Sequence, residues 1–262
     1  MTVTNQPALR IFITGASSGI GAALAAHYAH NGAVLGLAAR RSEALVQLAR
    51  ELEPMAGAVV CYPLDVTDAA ALASAAADFI QRFGAPDIVI ANAGISVGTL
   101  TGLAEDLPAI RRVLDVNIYG IATTLTPFIA AMRAAGSGRL VGIASVAGIR
   151  GLPGAGAYSA SKAAAIAYLE SLRLELRHSG IKVVTIAPGY IATPMTAINP
   201  YPMPFLLPAE EAASRFARAI ERGVAYTVIP WPMAIVAKLL RLLPNWLYDR
   251  LFANAPRKPR QG

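Results

Sequence analysis

The stretch Leu9-Arg10-Ile11-Phe12-Ile13-Thr14-Gly15-Ala16-Ser17-Ser18-Gly19-Ile20-Gly21 decides the fold. Residues 9–14 form an apolar run that reads as a buried strand. Glycines at 15, 19 and 21 follow, and then a helical pattern to about His30. Glycine lets the backbone approach a pyrophosphate, and the first helical turn offers free N–H groups and the positive end of its dipole. A glycine-rich turn alone is also a common structural turn. Its place between a strand and a helix is what points to a dinucleotide. The spacing Gly-x-x-x-Gly-x-Gly differs from the Gly-x-Gly-x-x-Gly of most dinucleotide folds.

The alternation continues along the chain. Further strands are predicted at 33–39, 58–62, 87–91, 139–144, 182–187 and 226–229, with helical patterns between them. Ser42 is expected to cap a helix whose Leu45, Leu48 and Leu52 share one face. Seven strands in this order imply an α/β fold, a doubly wound parallel sheet covered on both faces. Hydrophobic residues at 55% and charged residues at 15% of 262 exclude a disordered chain. The expected organisation is a single domain over 1–230, an amphipathic helical extension over 231–252 and a basic, flexible tail over 253–262. The segment 199–208 holds four prolines and is expected to be a loop over a site.

Charge and cysteine usage exclude several function classes. The net charge is +7, but residues 1–230 carry 17 basic and 15 acidic side chains. The excess lies beyond residue 230, and no basic–aromatic groove pattern marks the body, so no nucleic-acid partner is expected. Cys61 is the single cysteine, which excludes a disulfide framework, and it is expected to be a buried core thiol. His27, His30 and His178 are scattered, and no metal is expected. The opening residues lack the pattern of a secretory leader, so the expectation is a cytoplasmic protein.

The pattern Thr14-Gly15-x-x-x-Gly19-x-Gly21 resembles the short-chain dehydrogenase/reductase family, and the resemblance spans residues 9 to 230. Asp65-Val66 ends the third strand, where the family contacts adenine. Asn92-Ala93-Gly94 ends the fourth, with Ala91 in place of the family's first asparagine. Asn117, Ser145, Tyr158 and Lys162 match the catalytic positions, and Pro188-Gly189 follows the sixth strand. The resemblance implies a Rossmann-like fold, a nicotinamide cofactor, and assembly as a homo-oligomer, a dimer or tetramer. The cofactor contacts it implies are Gly15, Ser17, Ser18, Gly19, Ile20, Gly21, Arg40, Asp65, Val66, Asn92, Ala93, Gly94, Tyr158, Lys162, Pro188, Gly189, Ile191 and Thr193.

The end of the second strand bears on the cofactor. Ala39 stands where members using NAD(H) carry an acid, and Arg40 and Arg41 follow. A guanidinium fork matches a 2′-phosphate in shape and charge, which favours NADP(H) over NAD(H), with Arg40 the better placed. Ser17 and Ser18 occupy the glycine turn where some NADP-using relatives have a basic residue.

Tyr158 and Lys162 are four apart on a predicted helix and so share a face. Ser145 lies at a strand end, where open parallel sheets bind ligands. Reducing a ketone needs a hydride to carbon and a proton to oxygen. A tyrosine hydroxyl can give that proton, but its ordinary pKa of about 10 needs lowering. The Lys162 ammonium, with the nicotinamide charge of the oxidised complex, is expected to lower it by stabilising tyrosinate. Ser145 would orient the substrate oxygen, and the resemblance gives Asn117 a water in the proton relay.

Residues 96–100, 146–156 and 191–207 are expected to line the substrate pocket, with Ile149, Leu152, Met195, Met203, Phe205 and Leu206 among them. No charged residue lies between 191 and 207, which suggests a small apolar carbonyl or alcohol. Beyond Pro230, Ile235, Val236, Leu239, Leu240, Leu243, Leu247 and Leu251 form an apolar stripe opposite Lys238, Arg241, Asn245 and Asp249, with a break at Pro244. This stripe fits packing on its own domain, a subunit contact, or a peripheral membrane contact aided by Trp231 and Trp246. The leading expectation is an NADP(H)-dependent oxidoreductase. A non-catalytic NADP(H)-binding regulator and a membrane-peripheral, lipid-related protein are the alternatives.

Overall fold

The computed structural model describes residues 8 to 260. Seven strands run through it: β1 (Arg10–Thr14), β2 (Val34–Ala39), β3 (Ala58–Pro63), β4 (Ile88–Ala91), β5 (Gly138–Ile143), β6 (Ile181–Pro188) and β7 (Tyr226–Ile229). Each lies within one residue of its predicted bounds. The helices are α1 (Gly19–Ala29), α2 (Ser42–Leu52), α3 (Ala69–Phe83), α4 (Leu107–Leu114), α5 (Gly120–Ala135), α6 (Gly156–Glu175), α7 (Pro194–Ala197), α8 (Ala209–Glu221), α9 (Trp231–Leu242) and α10 (Asn245–Phe252).

The strands pair in the order β3-β2-β1-β4-β5-β6-β7, every pair parallel. Successive side chains of a strand point to opposite faces, so each strand feeds two cores. Ile11, Ile13, Leu35 and Leu37 pack with Leu24, Leu45 and Phe216 on one face. Phe12, Val89 and Leu140 pack with Phe79, Phe128 and Leu169 on the other. Chain order reverses between β1 and β4. The crevice beyond the carboxyl ends of those two strands is where such sheets take ligands.

Helix α2 begins at Ser42 itself. Arg41 precedes it in an extended conformation without a side-chain cap, so Ser42 is not the cap expected of it. Cys61 is half-buried, its Sγ donating to the Leu45 carbonyl oxygen at 3.6 Å, and is not the fully buried thiol expected. A widened π-type turn at Asp115–Tyr119 joins α4 to α5. The helical run Ala104–Ala135 is long and apolar enough to cross a membrane by length and composition. Half of its apolar window is buried, and α5 packs on α3, β4 and β5 as a core helix does.

The extension beyond β7 forms two helices separated at Leu243-Pro244. Its stripe is divided between inside and outside. Met233, Ala237 and Tyr248 are buried, whereas Ile235, Leu239 and Leu251 face out beside Trp231, Leu242 and Trp246. Met233, Ala237 and Tyr248 lie outside the expected stripe, whose Val236, Leu240, Leu243 and Leu247 are half-buried, so the stripe is turned partly inward and partly outward. Arg150 anchors the pair of helices by donating to the Leu240 and Leu243 carbonyl oxygens and to Asn245 Oδ1. Its guanidinium also sits 3.8 Å from the centre of the Tyr248 ring. The segment expected to be a flexible tail does not leave the domain over its described part. Residues 253–260 return along it, and Arg260 pairs with Gly98 in a parallel bridge.

Candidate active site

The phosphate corner is built from β1, β4 and α1. At the end of β1, the buried Thr14 hydroxyl accepts a hydrogen bond from the Asn92 N–H at 3.2 Å. The Asn92 amide donates back to the Thr14 and Gly15 carbonyl oxygens at 3.0 and 3.2 Å. Gly15 has φ +66°, and a Cβ there would stand 2.7 Å from the Ala93 Cα. Only glycine meets both conditions. Gly21 serves a different purpose: a Cβ there would fall 2.3 Å from the Gly15 carbonyl oxygen, so it lets α1 lie close to the turn. Ser18 precedes α1 in an extended conformation and makes no side-chain cap, which leaves the first amides of the helix for a ligand.

From this corner a cavity of about 350 Å³ extends to both sides. One side ends at Ala39, Arg40, Arg41, Asp65 and Val66. Arg40 lies 3.7 Å from the Asp65 carboxylate, both partly exposed. Arg41 donates to Ser17 Oγ at 3.1 Å and to the Ser17 carbonyl oxygen at 3.3 Å. Burial pushes the Asp65 carboxyl up. Hydrogen bonds from the Thr67 N–H and hydroxyl, with the Arg40 charge, outweigh this and hold it below the ordinary carboxylate range.

The other side holds Ser145, Tyr158 and Lys162, walled by Asn92, Ala93, Gly94, Pro188, Gly189, Ile191 and Thr193. Ser145 follows β5, and its Oγ accepts from the Ala147 N–H at 3.2 Å. Tyr158 and Lys162 project from the first turns of α6. The buried Lys162 ammonium donates to the Ile143 carbonyl oxygen at 2.8 Å and lies 5.8 Å from the Tyr158 ring centre.

Burial dominates the acid–base character of this end. It pulls Lys162 down to about 8. It pushes the Tyr158 hydroxyl up, against a hydrogen bond with Ser145 that works the other way. In the protein alone, burial outweighs the stabilisation of tyrosinate; the expected lowering belongs to the complex with oxidised nicotinamide, whose positive charge adds to that of Lys162. The same dry pocket disfavours tyrosinate and ammonium alike.

Ser17, Ser18, Gly19 and Ile20 line the cavity, as do the other expected contacts, apart from Gly21 and Asn117. Asn117 is fully buried behind it, on the π-type turn. Its Oδ1 accepts from the Ile95 N–H at 2.8 Å. Its amide donates to the Ile95 carbonyl oxygen at 3.0 Å and to Ser161 Oγ at 2.9 Å. Ser161 Oγ in turn donates to the Tyr158 carbonyl oxygen at 2.7 Å. Asn117 thus ties the segment after β4 to the helix that carries Tyr158 and Lys162. Of the expected substrate residues, Met195 lines the cavity, while Phe205 and Leu206 are exposed.

Sequence reasoning missed Ile95, and within the expected segment 191–207 it did not single out Thr196. Ile95 lines the cavity and bears the Asn117 clamp. Thr196 closes the capping box of α7 with Thr193, a Thr-x-x-Thr signal that is legible in the sequence. Among the described residues, no three His, Cys, Asp or Glu side chains gather as a metal ion would need.

Comparison with known proteins bears on the same residues. The model of the short chain dehydrogenase family matches residues 10–200. An uncharacterized oxidoreductase of Myxococcus xanthus is 38% identical over 237 residues, covering 90% of this chain and 93% of that one. The 11-beta-hydroxysteroid dehydrogenase-like 2 protein of Arabidopsis thaliana is 34% identical, covering 93% and 82%. Among solved structures, an alcohol dehydrogenase from Thermococcus sibiricus, complexed with 5-hydroxy-NADP, superposes with a TM-score of 0.74. It is 28% identical, with 84% of this chain and 95% of that chain covered. With the glycine corner, the parallel sheet and the Ser–Tyr–Lys cluster at its carboxyl edge, these matches make the chain a member of the short-chain dehydrogenase/reductase family of oxidoreductases.

Proposed function

We propose that the protein is an NADP(H)-dependent oxidoreductase that interconverts an apolar ketone and its secondary alcohol. The observation that carries this reading is the convergence of Ser145, Tyr158 and Lys162 on one end of a cavity whose other end holds Arg40 and Arg41. The residues present fit a nicotinamide dinucleotide. Gly15 and the uncapped α1 terminus suit its pyrophosphate. Arg40, Arg41 and Ser17 would hold a 2′-phosphate, and no acid stands at Ala39 to repel one. The 5-hydroxy-NADP complex of the similar Thermococcus sibiricus alcohol dehydrogenase is in keeping with this choice.

When bound, the cofactor supplies the hydride. Ser145 Oγ holds the substrate oxygen, and the Tyr158 hydroxyl gives it a proton in reduction or takes one in oxidation. Lys162, charged below about pH 8, offsets the tyrosinate left behind. Asn117 fixes the relative position of the Ile95 segment and α6. The segment 191–207 carries no charge and places Met195 at the cavity, which suits an apolar substrate. The test is kcat/KM for a series of aliphatic and cyclic ketones with NADPH and with NADH. Higher values with NADPH on apolar members support the reading. NADPH bound without turnover of any ketone would favour a non-catalytic regulator instead.

A further inference from the structure

Four consecutive residues near the carboxyl terminus touch every loop on the substrate side of the site. Gly154, in the loop after β5, lies against Arg257, and a Cβ at 154 would stand 3.0 Å from the Arg257 Cβ. Lys258 Nζ donates to the carbonyl oxygen of Met195, in α7 of the connection that follows β6, at 3.2 Å. Gly98, in the loop after β4, donates its N–H to the Pro259 carbonyl oxygen at 3.1 Å. Arg260 then reaches Asp106. Four residues span at most about 14 Å, so the three loops converge beneath this short strap.

The contact is fitted from both sides. A Cβ at Gly98 would fall 2.2 Å from the Lys258 carbonyl oxygen, so the strap can lie there only over glycine. The Asp106 side chain is 6% exposed. It accepts from Arg260 Nη2 at 2.9 Å and Nε at 3.0 Å, and from the Leu100 N–H at 2.7 Å. A buried carboxylate depends on such a fork, and removing the arginine leaves the charge without its partner. Thr99 donates its N–H to the Gly154 carbonyl oxygen at 2.9 Å, closing the loop after β4 onto the loop after β5. The segment 95–106 is therefore held at one end by Asn117 through Ile95 and at the other by the strap.

We infer that residues 257–260 form the outer wall of the substrate chamber, latched by Arg260 on Asp106, and that this wall limits the size of the apolar carbonyl the site accepts. The inference rests on the oxidoreductase reading above. It makes the carboxyl terminus a specificity element of the same chain's site.

Two variants approach the latch from opposite sides: Arg260→Ala removes the fork, and Gly98→Ala pushes the strap off without changing charge. Three quantities are measured on each full-length protein. These are hydrogen exchange at the Gly98 and Leu100 amides, the NADPH dissociation constant, and calorimetric binding of short and long methyl ketones with NADP⁺ present. The expected result is exchange faster by about tenfold at both amides, the size of a local opening. Affinity for long ketones relative to short ones should rise about fivefold, with NADPH affinity unchanged, as removal of a steric limit implies. Unchanged exchange in both variants overturns the latch. Faster exchange with an unchanged long-to-short ratio, or no ketone binding to any of the proteins, overturns the size limit. Absence of turnover in the wild-type protein would count against the oxidoreductase reading alone, because exchange and calorimetry do not need it.

Discussion

The corner at residues 14–21 and the region beyond residue 190 border the same cavity, but they are held in place differently. The corner is set by close backbone packing: two glycines that tolerate no Cβ, an uncapped helix, and Asn92 clamped to the end of β1 from 78 positions away. The far region is held by single arginine side chains that reach carbonyl and carboxylate oxygens. Arg150 holds α9 and α10 across some 90 positions, and Arg260 holds Asp106 across 154. The corner's contributors fall in two short motifs, residues 14–21 and 92–94, whereas the far region depends on single side chains that no motif marks.

Breaking the proton donor should produce the largest effect. Tyr158→Phe removes the transferable hydroxyl while keeping the ring, and kcat should fall about 10³-fold, within the range of general acid catalysis. NADPH affinity, measured by fluorescence titration, should stay near wild type. Wild-type turnover in this variant would break the assignment of the catalytic end.

Arg40→Asp tests the opposite end of the cavity. Losing charge-assisted bonds to a 2′-phosphate and adding a repelling acid should shift the NADPH-to-NADH ratio of kcat/KM by about 10²-fold. Arg41→Ala sharpens the comparison, because Arg41 already binds Ser17 of the phosphate turn. An unchanged ratio in both variants would remove the arginines from cofactor selection.

Acidity at the catalytic end makes a smaller, graded prediction. Lys162 is charged below about pH 8 and neutral above it, whereas burial pushes Tyr158 up from its ordinary value. Lysine therefore titrates first as pH rises. Its charge supports reduction on the acid side and is lost on the alkaline side. Reductive kcat/KM should decline about tenfold per pH unit above this point, as for one essential proton. A profile flat from pH 7 to 9.5 would show that the lysine charge plays no part.

The mildest change concerns the carboxyl-terminal helices alone. Arg150→Met removes donors to two carbonyl oxygens and the stacking on Tyr248. The expected cost is about 2 kcal/mol of stability, typical of hydrogen bonds from a charged group. It should appear as a lower Tm with unchanged NADPH affinity. Loss of cofactor binding would mean that the two regions are less independent than their contacts indicate.

The sheet was legible because parallel strands buried on both faces must be continuously apolar, as Ile88–Ala91 are. Tyr158 and Lys162 were legible from helical spacing, and Ser145 from its place after a strand. The interior face of α9 was not. Helical periodicity detects an apolar side but cannot decide between Met233 and Ala237 inside and Ile235 and Leu239 outside, since the packing partner chooses. The strap was hidden by composition. A basic, proline-containing segment looks like a solvated tail until the buried carboxylate of Asp106, far away in sequence, is seen to receive Arg260.

The most direct test of the account follows the hydride itself. NADPH deuterated at the transferable C4 position is incubated with the protein and the apolar ketone series, and the alcohols are examined by mass spectrometry. The account predicts one deuterium on the carbinol carbon of at least one apolar alcohol, at a higher rate than from equally labelled NADH. NADPH bound to the protein with no deuterated alcohol from any member of the series would contradict it.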